Sequence, residues 1–260
     1  MSNYHFVVER SGIHTTFQDS GYEHLQHIGI TTGGVVDNNL FKIANKLLDN
    51  DFNETIIEFA YQGPRLRLDK GKAHIVVTGD VHFMISKKSE DFSEKLGETF
   101  KTYQLNEGDI IDILATKSSV YGYFAVEGGF SINKYNNSGS TLVRSAIGPN
   151  DGKCIQENQL VKFNLKSIKK NLKQLSYFSD HKDNIIKVLE GPQINFFSSK
   201  IIKSFFNKTF KISKSTDRMG VRLEGNPILS KNSSNIPSEG IIKGSIQIPG
   251  DGNPIVLLAD

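Results

Sequence analysis

Short apolar runs cut by glycine constrain this chain most. They occur at 56–61, 74–86, 110–114, 120–127, 185–189, 209–213, 241–248 and 254–258, each bounded by Gly, Pro, Asn or Asp. Such runs are too short for buried helices and suit strands. In one of them Val81, Phe83 and Ile85 alternate with Asp80, His82 and Met84, the period of a half-buried strand. The chain has 23 Gly against 7 Pro, which supplies turns between strands rather than rigid linkers. A mainly β protein built of barrels or sandwiches follows.

Two stretches depart from that rule. After Asp37, an N-cap residue type, Leu40, Phe41, Ala44, Leu47 and Leu48 share one helical face that ends near Asp49 and Asn50. Ile201, Ile202, Phe205 and Phe206, after Ser198 and Ser199, form a shorter second helix. Between 163 and 184 the sequence is lysine-rich and without strand period, which reads as a connector. The expected division is therefore a β domain over 1–165, a connector over 166–184 and a second β domain over 185–260. Ile56-Ile57 before Gly63-Pro64 has a faint counterpart in Ile185-Ile186 before Gly191-Pro192, as two related domains would leave.

Charge narrows the function classes. With 31 Lys+Arg against 28 Asp+Glu, both signs dispersed, no nucleic-acid-binding tail is present. No apolar run has the length of a membrane span, and the first residues lack the basic and apolar regions of a secretory signal. A cytoplasmic protein without nucleic-acid or membrane partners is expected. The single cysteine, Cys154, excludes an intrachain disulfide and any cysteine-built metal cluster. With no histidine near it in sequence, it reads as an incidental thiol.

Common catalytic motifs are missing: no phosphate loop, no Gly-x-Gly-x-x-Gly, no Gly-x-Ser-x-Gly and no His-Glu-x-x-His. Glu23, His24 and His27 lack recognisable metal-ligand spacing, so no metal site is expected. What remains are polar segments rich in glycine. Thr15 to Gly21 gathers hydroxyls, Gln18 and Asp19 around a turn, and Gly33-Gly34 leads to Asp37. Ser215 to Leu223 sets Arg218 and Arg222 about Gly220, and arginine forks grip carboxylates or phosphates. Ser238, Glu239 and Gln247 lie in a segment that reads as a strand pair around a turn. Turn, cap and ion-pair chemistry accounts for the same residue types.

The order of these segments resembles the family of 5-oxoprolinase C-subunits, also described as biotin-dependent carboxyltransferase-like or allophanate hydrolase subunit 2-like. The resemblance rests on Gly12 to Gly21, Gly33 to Asp37, Ala44-Asn45, Glu58, Gly63-Pro64, Thr78-Gly79, Gly108-Asp109, Ala125 to Gly129 and Ser138 to Thr141. It continues through Gly191-Pro192-Gln193, the Asp-Arg-Met-Gly-x-Arg-Leu core at 217–223, and Ser238 to Asp260. It implies two cyclophilin-like β-barrel domains and work beside the A- and B-subunits in ATP-dependent opening of 5-oxoproline, a small cyclic amide, to L-glutamate. The alternatives it carries are a non-catalytic regulator that binds a sensor-kinase inhibitor, and a carboxyltransferase component using biotin. No Ala-Met-Lys-Met biotin-attachment motif is present, so biotin would arrive on another chain or domain.

Under the resemblance, Arg218 and Arg222 are expected to bind the substrate anion, and Gln18, Ser238 and Gln247 to supply donors. Asp19, Asp37 and Glu239 are the carboxylates expected to transfer protons or to hold a cation. The sequence departs from the family pattern in two places. It stops at Asp260, where an Arg-Gln-Thr-Thr-Gly-Gly-Tyr-Pro segment is expected, so the second barrel is expected to lack C-terminal strands. The 136–140 stretch also lacks the arginine expected there.

Overall fold

In the computed structural model, which describes residues 4–165, 172–176, 185–231, 236–237 and 239–260, the strands group into three open antiparallel sheets. The chain divides into two units, Met1–Phe178 and Ser179–Asp260. No helix among the described residues is long and apolar enough to cross a membrane.

The first unit holds β1 (His5–Arg10), β2 (Thr16–Gln18), β3 (Ile56–Ala60), β4 (Arg65–Lys70), β5 (Lys72–Thr78) and β6 (Val81–Ser86). After them come β7 (Glu94–Leu96), β8 (Thr102–Asn106), β9 (Ile110–Thr116), β10 (Tyr121–Val126) and β11 (Leu160–Lys162). One sheet runs β11-β1-β4-β9-β6-β7 and the other β2-β3-β10-β5-β8. The 74–86 run, continuous in the sequence, breaks at Gly79, whose φ of 103° suits a residue without a Cβ. That turn carries the chain from one sheet to the other.

Strand alternation then builds the core. Phe6, Val8, Leu66, Phe83 and Ile113 from the first sheet meet Ile57, Phe59, Ile75, Val77 and Phe124 from the second, all fully buried. Each such side chain contributes roughly 1.5–3 kcal/mol by leaving water. The outer face of the five-stranded sheet carries α1 (Asn38–Leu47), whose Phe41 and Ala44, with Leu48, pack on Ile56, Val76, Tyr123 and Ala125.

The outer face of the six-stranded sheet carries charge instead. His5 meets Asp69 at 3.0 Å, and Arg67 bridges Asp69 at 2.6 Å and Glu9 at 3.0 Å. Arg65 bridges Glu9 at 3.0 Å and Asp112 at 2.6 Å, which Arg10 reaches at 2.7 Å. Hydrogen bonds from Arg67 and then His5 hold the Asp69 carboxyl below the usual carboxylate range. Residues 172–176, within the expected connector, line the β8 edge. Thr102 N–H donates to Lys173 O at 2.8 Å, Lys173 N–H donates to Thr102 Oγ1 at 2.7 Å, and Lys173 Nζ lies 2.6 Å from Asp49. An edge so covered is closed to foreign strands.

The second unit has α2 (Ser199–Asn207), capped by Ser198 Oγ accepting from Ile201 N–H at 3.3 Å. Its sheet runs β12 (Lys211–Ile212), β13 (Gly220–Glu224), β15 (Ile255–Leu257), β14 (Ile246–Gln247). Two sequence expectations change here. The 185–189 run forms no strand, and Ile186 and Leu189 are 89% and 97% exposed. Of 241–248, only Ile246 and Gln247 pair. An alternating sequence makes a strand only where a neighbour supplies a ladder, and no described residue does so for 185–189 or 241–243, whereas Leu257 bonds to Gly244 and Ser245. No pairing closes any sheet into a barrel among the described residues.

Candidate functional site

Asp19 follows the edge strand β2 and is wholly buried. Its Oδ1 accepts from Gly21 N–H at 2.9 Å and from the hydroxyls of Ser138 and Ser140 at 2.8 Å each. Its Oδ2 accepts from Gly139 N–H at 2.5 Å. With donors from both the 21 turn and the 138–140 loop, this carboxyl group ties two loops together. Glycine is required at 139 because a Cβ there would fall 2.1 Å from Thr55 Oγ1. Gln18 beside it is also buried, donating to Thr16 Oγ1 at 3.0 Å and Thr141 O at 2.9 Å, while its Oε1 meets no partner. Tyr22 donates to Ser140 O at 2.6 Å. Burial, then the neighbouring Asp19 charge, pushes the Tyr22 phenol up to about 12.

Asp37 sits at the start of α1, its Oδ1 accepting from the N–H groups of Asn39 at 2.8 Å and Leu40 at 3.0 Å. Behind it the buried Glu58 accepts from Val36 N–H at 2.8 Å, and the Tyr123 hydroxyl accepts from Asp37 N–H at 2.8 Å. Burial and then Glu58 push the Tyr123 phenol well above its ordinary value. The first unit thus gathers Gln18 and Asp19, while Asp37 serves a separate helix terminus.

In the second unit Arg218 is 3% exposed and grips Asp260, with Nε 3.0 Å from Oδ2 and Nη2 2.8 Å from Oδ1. Arg222 and Gln247 both pair with Ile255, from β13 and β14, so the three stand in one row. Directly opposed residues project to one face, which sets the exposed guanidinium and amide on either side of Ile255. Glu239 is exposed and accepts from Gln193 Nε2 at 2.7 Å, joining two motif segments. Ser238 lies outside the described residues.

One pairing carries no local signal in the sequence. Cys154 Sγ lies 3.9 Å from His14 Nδ1, a contact spanning 140 positions. Ser138 and Ser140 likewise have no role assigned from sequence, although their Ser-Gly-Ser-Thr segment stands among the family-like motifs. Glu23, His24 and His27 do not converge, and no group of three metal-ligating side chains occurs among the described residues.

Known proteins resemble this chain in sequence and in fold. A carboxyltransferase domain family model, subdomain A and B, matches residues 28–260. The chain is 28% identical to the C-subunit of 5-oxoprolinase from Haemophilus influenzae over 94% of its length and 76% of that protein. It is 26% identical to the protein of the same name in Escherichia coli, covering 96% and 78%. A urea amidolyase of Lachancea kluyveri matches at 26% identity, over 85% of this chain and 12% of that protein.

Among solved structures, TTHA0988 gives a TM-score of 0.84 at 22% identity over 99% of this chain, which spans about half (49%) of that one. Kluyveromyces lactis urea carboxylase gives 0.82 at 21% identity, covering 100% and 24%. These two likenesses establish fold. The family match, running through nearly the whole chain, places this protein in the carboxyltransferase domain family, subdomain A and B.

Proposed function

We propose that this chain is the C-subunit of an ATP-dependent 5-oxoprolinase, which opens the lactam of 5-oxoproline to give L-glutamate beside the A- and B-subunits. One observation carries the reading: the chain accounts for 76–78% of two 5-oxoprolinase C-subunits but only 12% of a urea amidolyase. The division at 1–165, 166–184 and 185–260, with two cyclophilin-like domains, belongs to the same proposal.

The residues take unequal parts in it. Arg222 is the anion binder, because its guanidinium is exposed and shares a row with Gln247. Arg218 is engaged by Asp260, so it acts on substrate only if that carboxylate yields. Asp19 positions loops, Asp37 caps α1, and Glu239 is the accessible carboxylate for proton transfer. One guanidinium and one amide are too few donors for a triphosphate, so no ATP step is routed through this row. Hydrolysis of ATP is assigned to the assembled complex.

The carboxyltransferase family match supports a second reading, transfer of a carboxyl group from biotin carried on another chain. One assay separates them: glutamate release from 5-oxoproline and ATP by this chain with its cognate A- and B-subunits, each omitted in turn. Turnover that requires this chain is expected. Carboxyl transfer from a biotinylated carrier, without glutamate release, overturns the proposal.

A further inference from the structure

We propose that the β12 edge of the second unit is a docking strand for an extended acidic segment of another protein. Among the described residues β12 ends its sheet, paired on one side only, to β13. Ser213 N–H donates to Arg222 O at 2.8 Å and Lys211 stands opposite Glu224, so the backbone groups of Ile212 between them point away from the sheet. An edge left unpaired among the described residues accepts an added strand through main-chain hydrogen bonds.

The side chains specify what that strand carries. Residues 198–216 contain Lys200, Lys203, Lys208, Lys211 and Lys214 and no acidic residue. Four of these lysines are exposed, Lys208 is half-buried, and no carboxylate forms an ion pair with any of them among the described residues. Glu224, opposite Lys211, is taken by the Ser213 hydroxyl. On the other face of the strand Ile212 is 63% exposed, beside Phe210, which packs on Phe205 of α2. A segment alternating acidic with apolar side chains meets Lys211 on one face and Ile212 on the other, with the remaining lysines close by in the chain. A second copy of this chain is disfavoured, since two β12 edges would bring together two lysine-bearing segments without a carboxylate between 198 and 216. Nucleic acid and anionic membrane would use the lysines but not the backbone row.

The test uses the full chain and a short fluorescein-labelled peptide alternating glutamate and valine, read by fluorescence anisotropy. Binding is expected, weakened at least about tenfold by N-methylating alternate peptide amides and by the double variant Lys211→Glu/Lys214→Glu. Circular dichroism of the double variant, matching wild type, shows that it folds. Equal binding of the N-methylated peptide overturns strand addition. So does binding of single-stranded DNA or phosphatidylserine vesicles without the peptide, or no peptide binding by a folded wild-type chain.

Discussion

Both carboxylate oxygens of Asp19 are occupied by donors from 21 and 138–140, so removing the group strands two hydroxyls and two amides in the interior. Each stranded group costs about 1–3 kcal/mol. Asp19→Ala is expected to lower stability in urea unfolding by at least about 3 kcal/mol. Asp19→Asn costs less but is not neutral, because an amide nitrogen would confront either the Gly139 N–H or the other donors. An unchanged midpoint for Asn refutes the clasp. Tyr22 gives a pH signature. Its phenol sits at about 12 in the fold against 10.0 unfolded, so its contribution is whole below pH 10 and is lost as pH rises toward 12. The stability of Tyr22→Phe, followed by urea unfolding read by far-UV circular dichroism across that window, should fall less steeply than wild type.

Among the elements, α1 is the most legible in the sequence: its cap residue, apolar stripe and end near 49 are all local signals. Asp37→Ala is expected to cost about 1 kcal/mol, the worth of an N-cap, measured as a shift in thermal midpoint. The alternation over β6 is equally legible, since Val81, Phe83 and Ile85 are buried and His82 exposed. Misreadings arise where partners are remote. Ile185 to Leu189 has a strand's composition but no ladder, and nothing in a local window distinguishes those cases. Likewise Asp19 and Ser138 are 119 positions apart, and Cys154 and His14 are 140 apart. Strand order alone brings such residues together.

At the scale of the whole molecule, the two units differ in what they bury. The first encloses a core between the facing sides of two sheets. Among described residues of the second, only Ile228 and Ala259 are buried hydrophobics. Local opening free energy follows buried apolar contact. Hydrogen exchange followed by mass spectrometry should therefore show the amides of β13 and β15 exchanging well before those of β3 and β10. Equal protection would contradict that ranking.

The ion-pair ladder on the outer face of the six-stranded sheet has an evolutionary corollary. Asp69, Arg67, Glu9, Arg65, Asp112 and Arg10 form one chain of alternating sign across β1, β4 and β9, with His5 joined to Asp69 at its end. A reversal at any inner position sets like charges against two neighbours at once. Substitutions there should appear as linked columns among relatives, exchanged in compensating sets, while exposed positions elsewhere drift singly.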